Sequence, residues 1–298
     1  MQKRPFGKTG MSLTVLGFGA AEIGFGKIPQ ETVNQVLNAA LDSGLNLIDT
    51  AECYLDSEGL VGRAVSHRRN DFYLFTKLGH DGKSFGKEDW DVSMLEQSID
   101  RSLKRLQTDH VDLLQLHSCS LEMLKQGDVI AVVERAKKAG KTRFIGYSGD
   151  STAGRFAIDT GRFDALQTSC NIFDQECIDL LLPAAQARGM GVIAKRPIGN
   201  VAWRYPTLPE NGYYHGYWHR MHKLAYDFLL PEDKGVEIAL RFTLSHPAVT
   251  TAIVGTTRPE RWQANAALAE KGPLPQAQYD AIRARWKKIA PADWVGET

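Results

Sequence analysis

The sequence predicts an α/β fold, a single-domain (β/α)8 TIM barrel spanning residues 1–298. Three observations lead there. Strand and helix patterns alternate along the whole chain, eight strands can be counted, and no Pro- or Ser-rich linker divides the sequence. Alternation implies parallel strands, because each crossover helix returns the chain to the same end of the sheet. Eight such strands in series suit one closed barrel better than two sheets. A doubly wound sheet is the competing architecture, but no GxGxxG follows the early strands, so its dinucleotide loop is missing.

Taken in order, residues 15–19 read as the first strand. A helix over 31–42 places Leu37, Ala40 and Leu41 on one face, and Gly44 stops it. The second strand covers 45–48 and is followed by a helix over 57–65. The third strand, 72–76, precedes a strongly amphipathic helix over 94–106. The fourth, 111–116, precedes a helix over 121–139 that ends at Gly140. The fifth strand is 143–147, with a helix over 152–160. The sixth is 165–169, with a helix over 175–188, and the seventh is 191–194. A long irregular segment leads to a helix over 236–245 and the eighth strand, 251–254. Helices over 259–270 and 276–289 close the chain.

Composition narrows the function. The apolar share, 43%, suits a sizeable core. With 36 basic against 35 acidic residues, neither a nucleic-acid footprint nor an electrostatic membrane anchor is expected. The opening MQKRPFGKTGMS has no secretory apolar core, and no apolar run approaches the ~20 residues that span a bilayer. Cys53, Cys119, Cys170 and Cys177 lack CxxC spacing, which predicts reduced thiols in a cytoplasmic protein, without a disulfide or zinc framework.

In a barrel the active site lies where strands end and βα loops begin. The second strand runs into Asp49, with Tyr54 just beyond in "LNLIDTAECYLDSEGLVG". The third runs into "LFTKLG" and Lys77, and the fourth into "LLQLHSC" and His117. Singly, each has a structural explanation: a helix cap, a half-buried aromatic, a solvated lysine, a core histidine. Together they make chemical sense. A phenol near pKa ~10 is a poor proton donor at neutral pH, and a neighbouring ammonium favours its phenolate. Asp49 would hold Lys77 charged, while the imidazole would orient a carbonyl oxygen. The set suits protonation of a carbonyl oxygen while hydride reaches its carbon.

"IDTAECY", "FTKLG" and "LLQLH" together resemble the aldo-keto reductases, barrel enzymes that use NADPH. The similarity runs from "KRPFGKTGMSLTVLGFGA" to "IVGTTRPERWQAN". It implies a catalytic tetrad of Asp49, Tyr54, Lys77 and His117, with Tyr54 as general acid, and a small carbonyl or alcohol as substrate. It also implies cofactor contacts from Gly19 and Ala20 at the first strand end, and a carboxamide clamp from Ser148 and Gln167. The family's usual Asn after that serine is Gly149 here, with Asp150 or Asn171 as candidate compensations. Where the family has Tyr-Ser after the seventh strand, this chain has Lys195 and Arg196. A guanidinium plane stacks on a ring, so Arg196 is the expected substitute.

The "GTTRPERWQAN" stretch combines Gly255, Thr256, Thr257, Arg258 and Arg261 at a helix start, a setting that favours anions and bidentate phosphate contact. The resemblance assigns it, with Asn265, to the adenosine 2′-phosphate and adenine, which favours NADP over NAD.

Residues 203–228 hold eight aromatic side chains, so this segment must pack on something. A lid or pocket wall after the seventh strand and a satellite core against the outer helices are the two readings. His215, His219 and His222 share the segment but lack the acid of an HExxH signature, so no metal is expected. Two further functions compete with the reductase. One is a Schiff-base aldolase using Lys77 or Lys195, and the other a redox-sensing protein that holds NADPH with little turnover.

Overall fold

The computed structural model describes residues 1–297. It opens with a hairpin that sequence periodicity does not reveal. Lys3–Pro5 (β1) pairs antiparallel with Ser12–Thr14 (β2). Strands of three residues are too short to carry a readable alternation. The turn uses Gly7 at φ +54° and Gly10 at φ +75°, a region that only glycine enters freely. Gly7 is also pressed against the barrel, where a Cβ would lie 2.4 Å from the Gly191 nitrogen.

The hairpin delivers Phe6, Met11 and Leu13 into a separate apolar layer with Leu47, Phe75, Leu113, Ala165 and Ile193. That layer closes the floor of the barrel. Phe6 is fully buried, its ring 5.6 Å from that of Phe75. Phe6→Ala should therefore cost roughly 3–5 kcal/mol, read from denaturant unfolding. A loss under ~1 kcal/mol would mean that the floor collapses around the cavity.

Above the floor, eight parallel strands close a barrel: Leu16–Gly19 (β3), Leu47–Asp49 (β4), Tyr73–Leu78 (β5), Val111–His117 (β6), Thr142–Ser148 (β7), Ala165–Ser169 (β8), Gly191–Lys195 (β9) and Thr251–Val254 (β10). The order is β10-β3-β4-β5-β6-β7-β8-β9. Several strands run further toward their C-terminal ends than their apolar pattern predicts, and so include Asp49, Lys77, His117, Ser148 and Lys195. Register aligns Lys77 with Gln115, His117 with Ser148, and Ser148 with Gln167. A polar layer thus stands at one end of the barrel. The start of the second strand shifts inward, because Asn46 instead bonds the hairpin at Thr14 and Ser12.

Two predicted helices are each broken in two. Gly127, at φ +86°, separates Leu121–Gln126 from Asp128–Lys138. Leu181 separates Glu176–Leu180 from Leu182–Arg188, where Pro183 opens a new first turn. The irregular segment contains a helix, His215–Leu224, and the helix predicted from 236 begins at Glu232. The last two helices are Pro259–Glu270 and Gln276–Ile289, as expected. Among the described residues no helix is long and apolar enough to cross a membrane.

Candidate active site

At the polar end of the barrel lies a cleft of about 420 Å³. Asp49, Tyr54, Lys77 and His117 line it. So do Gly19, Ala20, Ser148, Gln167, Arg196, Gly255, Thr256, Thr257, Arg258, Arg261 and Asn265. The tetrad and the residues the resemblance assigns to the cofactor, apart from the two candidate compensations for Gly149, meet the same space.

Lys77 and Asp49 are both 1% exposed and form a buried ion pair. The ammonium also donates to the Thr50 carbonyl at 2.7 Å. Asp49 accepts from the Gln115 amide at 3.2 Å and the Gln167 amide at 3.4 Å. Burial pushes the Asp49 carboxyl up, against the pull of Lys77 and the two amides. For Lys77, burial acts downward, but Asp49 and Tyr54 outweigh it and hold the amine above its ordinary value. A buried pair with its remaining valences filled is the arrangement that keeps both charges in place.

The Lys77 nitrogen stands 5.0 Å from the centroid of the Tyr54 ring. His117 meets that ring edge-on at 5.7 Å, and Phe25 packs at 5.6 Å. Lys77 does pull the Tyr54 phenol down, as expected, but the net shift is opposite. Burial pushes the Tyr54 phenol up, and the ammonium only offsets part of that shift. The resting side chain is a protonated donor. Burial, then Lys77 and His80, hold the His117 imidazole well below its ordinary value, so it is neutral. Its Nδ1 lies 3.5 Å from the Cys53 sulfur, a thiol that burial pushes up to about 12.

On the other wall, the Gln167 carbonyl oxygen is buried and unpartnered, facing no protein donor. Neither proposed compensation for Gly149 reaches the cleft. Asp150 accepts from Thr168 and the Ser169 amide, both at 2.6 Å, and pairs with Lys195 at 2.9 Å. Asn171 accepts from the Phe173 amide at 2.8 Å. Arg196 does face the cleft, at φ +54°. Its guanidinium donates to the Tyr213 hydroxyl at 3.1 Å, to Ser169 at 3.3 Å and to the Glu297 carbonyl. Glu297 is fixed in turn, its amide donating to Asp174 at 3.1 Å, while the Gly296 amide donates to Glu176 at 2.9 Å.

The aromatic segment divides between its two readings. Trp203, Tyr217 and Tyr226 surround Phe173 as a satellite core, with centroids 5.9, 6.4 and 6.2 Å away. Tyr205, Tyr213 and Tyr214 line the cleft. Of the three histidines, His215 bonds the Pro209 carbonyl at 2.7 Å and His222 packs 4.0 Å from Trp218. Sequence reasoning missed Gln115, Glu22, Ser118, Asn200 and Arg204. Only Gln115 left a signal, as a polar residue inside the apolar run "LLQLH".

At the far end, the Arg258 side chain is 59% exposed, and among the described residues its one carboxylate within 4 Å is that of Glu260, at 3.9 Å. Arg261 stands 4.0 Å from Glu232 and 3.9 Å from Asp233. Both guanidiniums keep donors free. Gly255 leaves room for the Glu22 carboxylate, which a Cβ there would strike, and a Cβ would also lie 2.7 Å from the Gly19 carbonyl oxygen.

Comparison with known proteins agrees with this geometry. The model of the Aldo/keto reductase family matches residues 15–287. The chain is 28% identical to L-galactose dehydrogenase of Arabidopsis thaliana over 291 residues, 90% of this chain and 88% of that protein. It is 28% identical over 220 residues to the NADH-specific methylglyoxal reductase of Escherichia coli, covering 66% of this chain and 68% of that one. The holo form of an aldo-keto reductase from Bacillus halodurans superposes with a TM-score of 0.83, at 25% identity and 99% coverage of both chains. With a family match across the whole barrel and this fold beneath it, the chain belongs to the aldo/keto reductase family and is an oxidoreductase.

Proposed function

We propose that the protein transfers hydride between NADP(H) and a small carbonyl or alcohol, with Tyr54 as general acid and base. The observation that carries this is the Lys77–Asp49 pair set beside the Tyr54 ring, with a neutral His117 edge-on to it. When bound, the nicotinamide supplies or accepts the hydride. In reduction the Tyr54 hydroxyl donates to the carbonyl oxygen and yields its proton as negative charge develops there. Lys77 lowers the cost of the phenolate left behind, and Asp49 with its two amides keeps Lys77 in place. His117, neutral, orients the same oxygen by hydrogen bonding. In oxidation Tyr54 takes the proton back.

The cleft fits such a cofactor on two counts. The orphaned Gln167 oxygen can accept from a carboxamide, and Arg258 and Arg261 have free donors. Against a Schiff-base lysine, Lys77 is held protonated by Asp49 and so is a poor nucleophile. A panel of carbonyls and alcohols, followed at the NADPH absorbance band with NADH in parallel, tests the proposal. Tight cofactor binding with negligible turnover across the panel would favour the redox-sensing reading. A lysine adduct trapped by borohydride would favour the aldolase.

Cofactor preference has its own test. Arg258→Ala with Arg261→Ala should weaken NADPH by about 10²- to 10⁴-fold and NADH far less, since each of the two charge-assisted bonds contributes ~1.5–3 kcal/mol. Equal losses for both cofactors in a fluorescence titration would remove the 2′-phosphate assignment.

A further inference from the structure

Tyr54, His80 and His117 stand at or just beyond the ends of three neighbouring strands, and the buried Glu52 carboxylate lies where the first two segments meet. We propose that Glu52 is a positioning residue whose carboxylate fastens the Tyr54 loop to the Gly79–His80 turn, and through His80 fixes His117. The proposal rests on the catalytic reading above.

The contacts run outward from Glu52, whose side chain is fully buried. Its amide donates to the Lys77 carbonyl at 3.1 Å. Its Oε1 accepts from the Gly79 amide, and from the His80 amide at 3.1 Å. The turn it grips is tight. Gly79 sits at φ +132°, and a Cβ there would lie 2.3 Å from the Trp90 ring. His80 then donates from Nε2 to the His117 carbonyl at 2.5 Å, with its ring edge-on to Trp90 and His117 at 5.2 and 5.4 Å. On the opposite side, Cys53 is the residue after Glu52, and its sulfur lies 3.5 Å from His117 Nδ1. His117 is thus held from two sides by groups that Glu52 fixes.

Stability alone does not account for this carboxylate. Its Oε2 is buried without a hydrogen-bond partner. The nearest cation, Arg101, is 3.6 Å away and bonds Asp81 instead, at 2.5 Å. Glu58 is a second buried acid in the same cluster. Arg105 stands 3.7 Å from Glu58 and 3.5 Å from the Glu52 carbonyl oxygen. A half-partnered buried charge is costly. Burial first, and Glu58 among the lesser causes, push the Glu52 carboxyl up to about 7, against the two amides and Arg101.

Two pH trends of opposite sign follow. The carboxylate accepts from Gly79 and His80 more strongly than the neutral acid does, so the clip tightens as pH rises through about 7. The folded state, however, binds this proton more tightly than the unfolded chain does. Its contribution to stability is full below the unfolded value and is lost as pH rises to about 7. Turnover should climb over the range in which thermal stability declines, whereas a purely structural role would move both together.

The test uses Glu52→Gln and Glu52→Ala in the full chain. Glu52→Ala should lower kcat by about 10- to 100-fold, as expected for a misplaced catalytic group, with KM and NADPH affinity little changed. Glu52→Gln keeps an acceptor for both amides. It should restore kcat to the level wild type shows below pH 7, where its own acid is neutral, while abolishing the pH dependence that Glu52 gives to both turnover and stability. Wild-type kcat in Glu52→Ala overturns the proposal, as does a pH step that survives in Glu52→Gln. A kcat loss in Glu52→Ala that Gln does not restore also overturns it. If wild type reduces no carbonyl, the catalytic reading fails separately, and amide NMR of the cofactor-free protein still tests the clip. The Gly79 amide resonance should shift near pH 7 in wild type and lose that shift in Glu52→Gln. Identical titrations in the two proteins would sink it.

Discussion

Tyr54→Phe should lower turnover by about 10²- to 10⁴-fold, the range a positioned proton donor contributes, while leaving cofactor affinity nearly unchanged. Phenylalanine keeps the ring that packs against Phe25, His117 and the Lys77 ammonium, so only the hydroxyl is removed. The measurements are steady-state kcat on a reducible aldehyde and a fluorescence titration with NADPH. Wild-type turnover in the variant would take the phenol out of the mechanism. Because burial holds the phenol protonated beyond its ordinary range, the reductive rate should decline only at strongly alkaline pH. Oxidation, which needs the phenolate, should rise there instead.

Lys77→Met should damage both stability and chemistry. It leaves Asp49 ionised and buried beside two amides, and breaking a pair of this kind costs about 3–5 kcal/mol. Adding Asp49→Asn removes the stranded charge, so the double variant should regain most of the stability and none of the turnover. Denaturant melts beside kinetics separate the two effects. Should Lys77→Met alone melt like wild type, the buried charge must already be relieved by its amides or by a proton.

How far the sequence reveals this molecule depends on the length scale of each feature. The barrel is legible because each crossover unit carries its own periodicity within a short window, and Asp49, Lys77 and His117 are legible because polar residues interrupt apolar strands at their ends. The hairpin is not, since three-residue strands leave no alternation to read. The breaks at Gly127 and Leu181 lie inside patterns whose apolar faces continue on either side. The site's fine structure was hidden for a different reason. Glu52 meets Gly79 and His80 across about 28 residues, and Gln167 meets Asp49 across 118, distances over which no periodicity operates. The direction of the Tyr54 shift was misjudged because the ammonium is visible in the sequence whereas the burial opposing it is not.

The bond between Arg196 and the carbonyl of Glu297 spans 101 residues, and Ser169 reaches the same oxygen across 128. Glu297 therefore leaves the ribosome after every group it touches. A nascent chain can close its eight strands and join Lys77 to Asp49 while Arg196 still lacks this anchor. Maturation of the cleft then has an order in time, with the proton-transfer wall built first and the Arg196 wall last. A chain without Gly296 and Glu297 would keep a closed barrel whose Arg196 lacks this anchor.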